Sequence, residues 1–143
     1  MDCFKFGSIS STEAKEMILS KGSFSYESVV LSKDEEYYLN EVIKLFLAGI
    51  GKENIFDIIS YCFNEIINNA KKANIKRAHF LDNKLDITNP AEYEEGMKTF
   101  RDTLSDDTKV IRILNEYSLF LRTDFEIIND TIFLYLKFGL DIE

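Results

Sequence analysis

Apolar residues recur at helical spacing in several stretches of this chain and alternate with polar residues in a few others. Leu39, Val42, Ile43, Phe46 and Leu47 predict an inward face for a helix that starts at Ser32 or Asp34 and runs to about Ala48. Gly49-Ile50-Gly51 breaks it. Ile55, Phe56, Ile59, Cys62, Phe63, Ile66, Ile67, Ala70 and Ala73 cover one broad face of a second, longer helix, from about Asn54 to Ala73 and ending at Asn74. Nearer the N-terminus, Ser11 caps a short helix over Thr12 to Leu19 that Lys21-Gly22 ends. Phe24 and Tyr26 alternate with polar residues through Phe24 to Leu31, the period and composition of a strand.

Beyond the long helix, Lys76 to Leu81 is expected as a short strand, with Asp82-Asn83 as its turn and Leu85-Asp86-Ile87 as its return. Asn89-Pro90 signals a helix start, since Asn caps, Pro suits the first turn and Glu92, Glu94 and Glu95 complement the dipole; that helix runs toward Leu104. Ser105-Asp106-Asp107 caps another, with Val110, Ile113, Leu114, Tyr117 and Leu121 on one face. Phe125 to Phe138 forms a hairpin about Asn129-Asp130, its second arm dense enough in Ile, Phe, Leu and Tyr for a buried strand. The expected fold is α+β, with helices packed on one face of a small mixed or antiparallel sheet: a two-layer α/β sandwich, whole or in part.

Composition narrows the function classes. The 143 residues predict one domain, 1–143, or the N-terminal portion of a larger one, and 45% apolar residues with one Pro argue for a packed core. A net charge of −8 opposes nucleic-acid binding. The tightest basic cluster, Lys71, Lys72, Lys76 and Arg77, suits one phosphorylated ligand rather than a duplex. Two cysteines, Cys3 and Cys62, make neither a zinc site nor a disulfide framework, and Cys62 is expected in the core. No leader and no bilayer-length apolar run is apparent, so a soluble cytoplasmic chain without membrane contact is expected.

The candidate chemistry lies on the long helix. Glu65 and Asn69 are one turn apart at the edge of its apolar face, and Lys72 falls on the same edge. An acid, an amide oxygen and a cation on the border between core and solvent are what a pocket for a charged ligand needs. One amide oxygen can hold Mg²⁺ that keeps its waters and the phosphates of a nucleotide, and a carboxylate one turn away can orient a water. The bare spacing fits a solvated helix edge as well.

The run Phe63 to Asn74, Glu65-Ile66-Ile67-Asn68-Asn69-Ala70-Lys71-Lys72 at its centre, resembles the N-box of the histidine-kinase-like ATPase (GHKL, Bergerat-fold) superfamily, which reads Glu-x-x-x-Asn-Ala followed by a basic residue. The resemblance implies a Mg-ATP-binding domain of a bacterial signalling or regulatory protein. Asn69 would hold the Mg²⁺ of bound ATP, Lys72 and Asn68 would sit near the nucleotide, and Glu65 would occupy the general-base position. The tract Asn89 to Met97 also looks like an insertion found in some bacterial members. The superfamily's next motif, Asp-x-Gly-x-Gly, and its glycine-rich lid do not occur in these residues. The competing expectation is therefore a non-enzymatic protein-interaction or regulatory module that keeps the N-box as scaffold without nucleotide binding.

The remaining polar residues add little. His79, the only histidine, is expected as a half-buried strand residue, which leaves no acceptor for autophosphorylation. Asp34-Glu35-Glu36 and Ser105-Asp106-Asp107 read as helix starts. Most of the Tyr and Phe fall at core positions, with Phe24, Tyr26, Tyr37 and Tyr38 as candidates for exposure.

Overall fold

The structure, a computed structural model, describes residues 3–4, 16, 20, 22–129 and 131–140. Four strands form one mixed sheet in the order β1-β2-β3-β4. The two-residue β1 (Cys3–Phe4) lies parallel to β2 (Ser23–Ser28), whereas β3 (Leu119–Ile128) runs antiparallel to both β2 and β4 (Thr131–Leu140). Four helices, α1 (Lys33–Gly49), α2 (Phe56–Asp82), α3 (Pro90–Leu104) and α4 (Asp107–Glu116), separate β2 from β3. A single 3-10 turn, Glu53–Ile55, leads into α2. The α+β sandwich is as the sequence predicts, with helices over one face of the sheet.

The alternation in the strands decides that face. Phe24 and Tyr26 of β2 sit across from Phe125 and Thr123 of β3, so paired side chains share one side, and Phe24, Tyr26, Leu121 and Phe125 are buried there against α1 and α2. From α1 come Leu39, Val42, Ile43, Phe46 and Leu47, all buried as the helical period requires. Ser32 caps this helix and exchanges hydrogen bonds with Glu35, a complete capping box. A second cluster, with Ile75, Ala78, Phe100, Ile113, Leu114 and Leu119, joins the C-terminal half of α2 to α3 and α4.

The largest departure from expectation is α2, which runs eight residues past Asn74 to Asp82. Lys76 to Leu81 is helix, not strand, and Leu85-Asp86-Ile87 is no returning strand. The inward face simply continues through Ile67, Ala70, Asn74, Ile75 and Ala78, on residues with no aversion to helix. Asn74, expected to stop the helix, is buried within it and donates from Nδ2 to the Phe120 carbonyl at 3.0 Å. The stop comes at Asn83, followed by Lys84 in the left-handed region.

His79 is likewise a helix residue, fully buried between α2 and α3. Its Nε2 pairs with the Gly96 carbonyl at 2.9 Å and its Nδ1 with Thr103 Oγ1 at 2.8 Å. The start of α3 follows expectation, with Asn89 Oδ1 accepting from the backbone of Ala91 and Glu92. Asp106 rather than Ser105 caps α4, and Leu121 belongs to β3 instead of this helix. The β3–β4 hairpin turns after Ile128 as predicted, with Asn129 at φ +48°, although β3 begins earlier, at Leu119. Of the expected first helix, Glu16 is helical and the rest of Thr12 to Leu19 lies outside the described residues, as does Asp130.

Candidate functional site

The run Phe63 to Asn74 spans about three of the roughly seven turns of α2, and rotation about the helix axis sorts its polar residues into two lines. Asn64, Lys71 and Asn74 follow one another at seven- and three-residue steps, which places them beside the buried Phe63, Ile67 and Ala70. Each has a partner. Asn64 Oδ1 accepts from Asn40 of α1 at 3.0 Å, Lys71 Nζ meets Glu36 Oε1 at 3.0 Å, and Asn74 holds β3 as described. These contacts pin α2 to α1 and to the sheet.

Glu65, Asn69 and Lys72 form the other line. All three are exposed, and none makes a hydrogen bond or ion pair with a described residue. Asn68 is half-buried. None of these four residues lines any of the three main cavities, so the expected pocket edge is an outward, open helix face. Among the described residues no wall encloses this face. Among the described residues no cluster of three His, Cys, Asp or Glu side chains could hold a metal ion.

Three residues expected on the apolar face, Ile59, Cys62 and Ile66, are exposed instead. Beside them Ile58 is 67% exposed and Tyr61 68%. Phe24 and Tyr26 go the other way and are buried, whereas Tyr37 is exposed. The buried face of α2 is narrower than its apolar period implies, because the sheet and α1 reach only the half of it centred on Phe63, Ile67 and Ala70.

The other half borders β4. A groove of about 360 Å³ lies between them, lined by Ile59, Cys62 and Ile66 of α2 and by Thr131, Ile132 and Leu134 of β4. β4 is the outer strand of the sheet, and its far edge pairs with no described strand. Its ten residues include one charge, Lys137, and no proline, and Phe133, Leu134 and Tyr135 are exposed. Phe133 and Tyr135 stack on the side away from the helices, with ring centroids 6.4 Å apart. Edge strands are ordinarily kept short, charged, bulged or covered. β4 instead has the composition of a central strand.

On the face of the sheet away from α1 and α2, the buried Ser25 donates to Asp124 and Arg122 reaches both, with Nε 3.2 Å from Asp124 and Nη2 3.0 Å from Ser25 Oγ. This network joins β2 to β3 and closes on itself. The exposed apolar residues of α2 and β4 show in the sequence only as an excess of apolar positions, which periodicity alone assigns to the core.

Among the described residues no helix is long and apolar enough to cross a membrane. No protein-family model and no solved structure matches the chain. It is similar to an uncharacterized protein of Treponema pallidum (strain Nichols), with 32% identity over 100 residues, which are 69% of this chain and 20% of the relative. The chain thus spans about a fifth of the length of the curated relative that it matches.

Proposed function

We propose that this protein is a non-enzymatic interaction module that binds an extended segment of a partner protein along the free edge of β4, with the outward face of α2 as the flanking wall. The observation that carries this reading is the ten-residue edge strand, apolar on both faces and beside an apolar groove. An added strand would satisfy the unpaired backbone groups of β4, and its side chains on one face would enter the groove between Ile66 and Leu134. Glu65, Asn69 and Lys72, adjacent and unpartnered, offer hydrogen bonds and charge at the rim.

Selection of peptides against the purified protein, followed by amide hydrogen exchange, tests the reading. Bound peptides are expected to slow exchange along Thr131–Lys137, and Leu134→Lys is expected to abolish binding while β3 stays protected. Peptides that protect other regions only, or that bind Leu134→Lys equally, refute it.

A second reading, Mg-ATP binding, is favoured by one specific observation: Glu65, Asn69 and Lys72 stand in register on one helix face with no partner competing for them. In that reading Asn69 would contact the Mg²⁺ and Lys72 and Asn68 the phosphates, with the missing walls supplied from outside the described residues. Calorimetry with ATP and Mg²⁺ separates the two. No heat is expected for an interaction module, whereas metal-dependent binding lost in Asn69→Ala would replace the first reading with the second.

A further inference from the structure

On the inward side of α2, away from Glu65 and Asn69, lies a cavity of about 410 Å³ that neither reading uses. It opens between the β2–α1 connection, the C-terminal half of α2 and α4. Val30, Leu31, Ile75, Val110, Leu114 and Leu121 make most of its wall. Pockets for small ligands have this size and this apolar character, with a few polar groups that select the head of the ligand.

The polar groups at the mouth are mostly donors. Lys71 and Lys33 both line it, and each gives one hydrogen bond to Glu36, at 3.0 and 3.2 Å, occupying both oxygens of that carboxylate. An ammonium has three protons, so each lysine keeps two. Ser32 is spent in the capping box, its N–H on Glu35 Oε2 at 3.0 Å and its Oγ on the Glu35 N–H, so of the first residues of α1 at the mouth Lys33 is the one with a backbone N–H that has no intrahelical acceptor. Asn74 is engaged on both sides, its Nδ2 donating to the Phe120 carbonyl and its Oδ1 accepting from Arg77 at 3.3 Å, which leaves it one N–H. Asp107 is the one acid among the lining residues and is exposed at the start of α4. Counting Glu36, which the two lysines share, the mouth holds two lysines against two acids, so it is the N–H donors that the lysines keep, and not a net positive charge, that suit an anion.

We infer that this cavity binds a small aliphatic molecule with an anionic head, of the class of medium-chain carboxylates. The chain would lie among Val30, Ile75, Val110 and Leu114, and the carboxylate would accept from Lys71 and Lys33. A neutral head loses the charge-assisted bonds, and a cationic head meets two like charges.

Decanoate, decanol and decylammonium, titrated into the whole chain and followed by amide NMR shifts, test the inference. Decanoate is expected to give saturable shifts over residues 29–33, 71–75 and 110–114, decanol to bind roughly tenfold more weakly, and decylammonium more weakly still. Lys71→Met, which keeps an aliphatic stem, is expected to bring decanoate down to the level of decanol and leave decanol unchanged. That unchanged decanol affinity also shows the cavity to be intact. Equal binding of decanoate and decanol by the unmodified protein, saturable shifts elsewhere only, or no saturable shift overturns the proposal.

Discussion

Gly96 is the position where one added carbon has the most legible effect. It faces the C-terminal half of α2, and a Cβ placed there would lie 2.5 Å from Phe80 Cζ, 2.7 Å from Cε1 and 3.0 Å from Cε2. Carbon atoms settle at about 3.5–4.0 Å, so the ring or the helix must retreat by roughly 1 Å. The ring has little room. Phe80 is buried, stacked on Tyr93 at 5.6 Å and set edge-on to His79 at 5.9 Å. Displacing α3 instead would stretch the 2.9 Å contact between His79 Nε2 and the Gly96 carbonyl. Overpacking of this kind costs about 1–3 kcal/mol, and Ala recovers up to about 1 kcal/mol in helix propensity. Gly96→Ala is therefore expected to destabilise by about 1–2 kcal/mol, a fall in Tm of about 3–6 °C. Urea titrations of Gly96→Ala, Phe80→Leu and the double variant read it directly, because the smaller side chain relieves the clash. The double variant is expected to lose less than the sum of the two single losses. A Gly96→Ala protein as stable as the parent, or strict additivity with Phe80→Leu, refutes this account of how α3 seats on α2.

Three other outcomes follow from single contacts. Thr123 Oγ1 is buried with no hydrogen-bond partner among the described residues, so the isosteric Thr123→Val is expected to raise stability by about 1 kcal/mol in urea unfolding, and a loss would show a hidden partner. Asn74→Leu removes the side-chain donor to the Phe120 carbonyl and is expected to cost about 1–3 kcal/mol; a neutral result would mean that this bond does not hold α2 to β3. Asp86 accepts from the hydroxyl of Thr88 at 2.6 Å and from its backbone N–H at 2.8 Å, and these bonds, the hydroxyl first, hold its carboxyl below the usual 3.8. A depressed carboxylate stabilises the fold while ionised, so its contribution is present above about pH 4 and is lost as pH falls through the folded value. Thr88→Val is expected to move the Asp86 titration upward in a carboxyl NMR experiment, and an unmoved titration refutes the assignment.

The reach of the sequence is clearest at α1 and α3. Ser32 with Glu35 and Asn89 with Pro90 are local signals, complete within four residues, and both helices begin where those residues say. The inward face of α1 was also legible, because one layer of sheet takes one stripe of a helix. The hairpin at Ile128 and Thr131 belongs to the same class, since two adjacent strands register each other through a short turn. The alternation of β2 and the density of apolar residues in β4 were enough to give a helix-covered sheet.

The end of α2 was not a local matter. Asn74 resembles a stop until β3 brings the Phe120 carbonyl to it, a contact between residues 46 apart in sequence. Lys76 to Leu81 resembles a strand until α3 and α4 supply a helical surface for Ala78 and Phe80 to pack on. The candidate site divides in the same way. Sequence placed Glu65, Asn69 and Lys72 on one side of a helix, correctly, because the 3.6-residue repeat is a property of the chain itself. Which side of that helix meets the sheet depends on the apolar surface that α1, β3 and β4 jointly offer, and this surface exists only once distant segments have assembled. They cover Phe63, Ile67 and Ala70 and leave Ile58, Tyr61, Glu65 and Asn69 facing outward. The sequence by itself determined the periodicities, the caps and the alternation, all set by interactions within a few residues. The tertiary structure decided what each face looks onto, since burial is a relation between segments that no single segment contains.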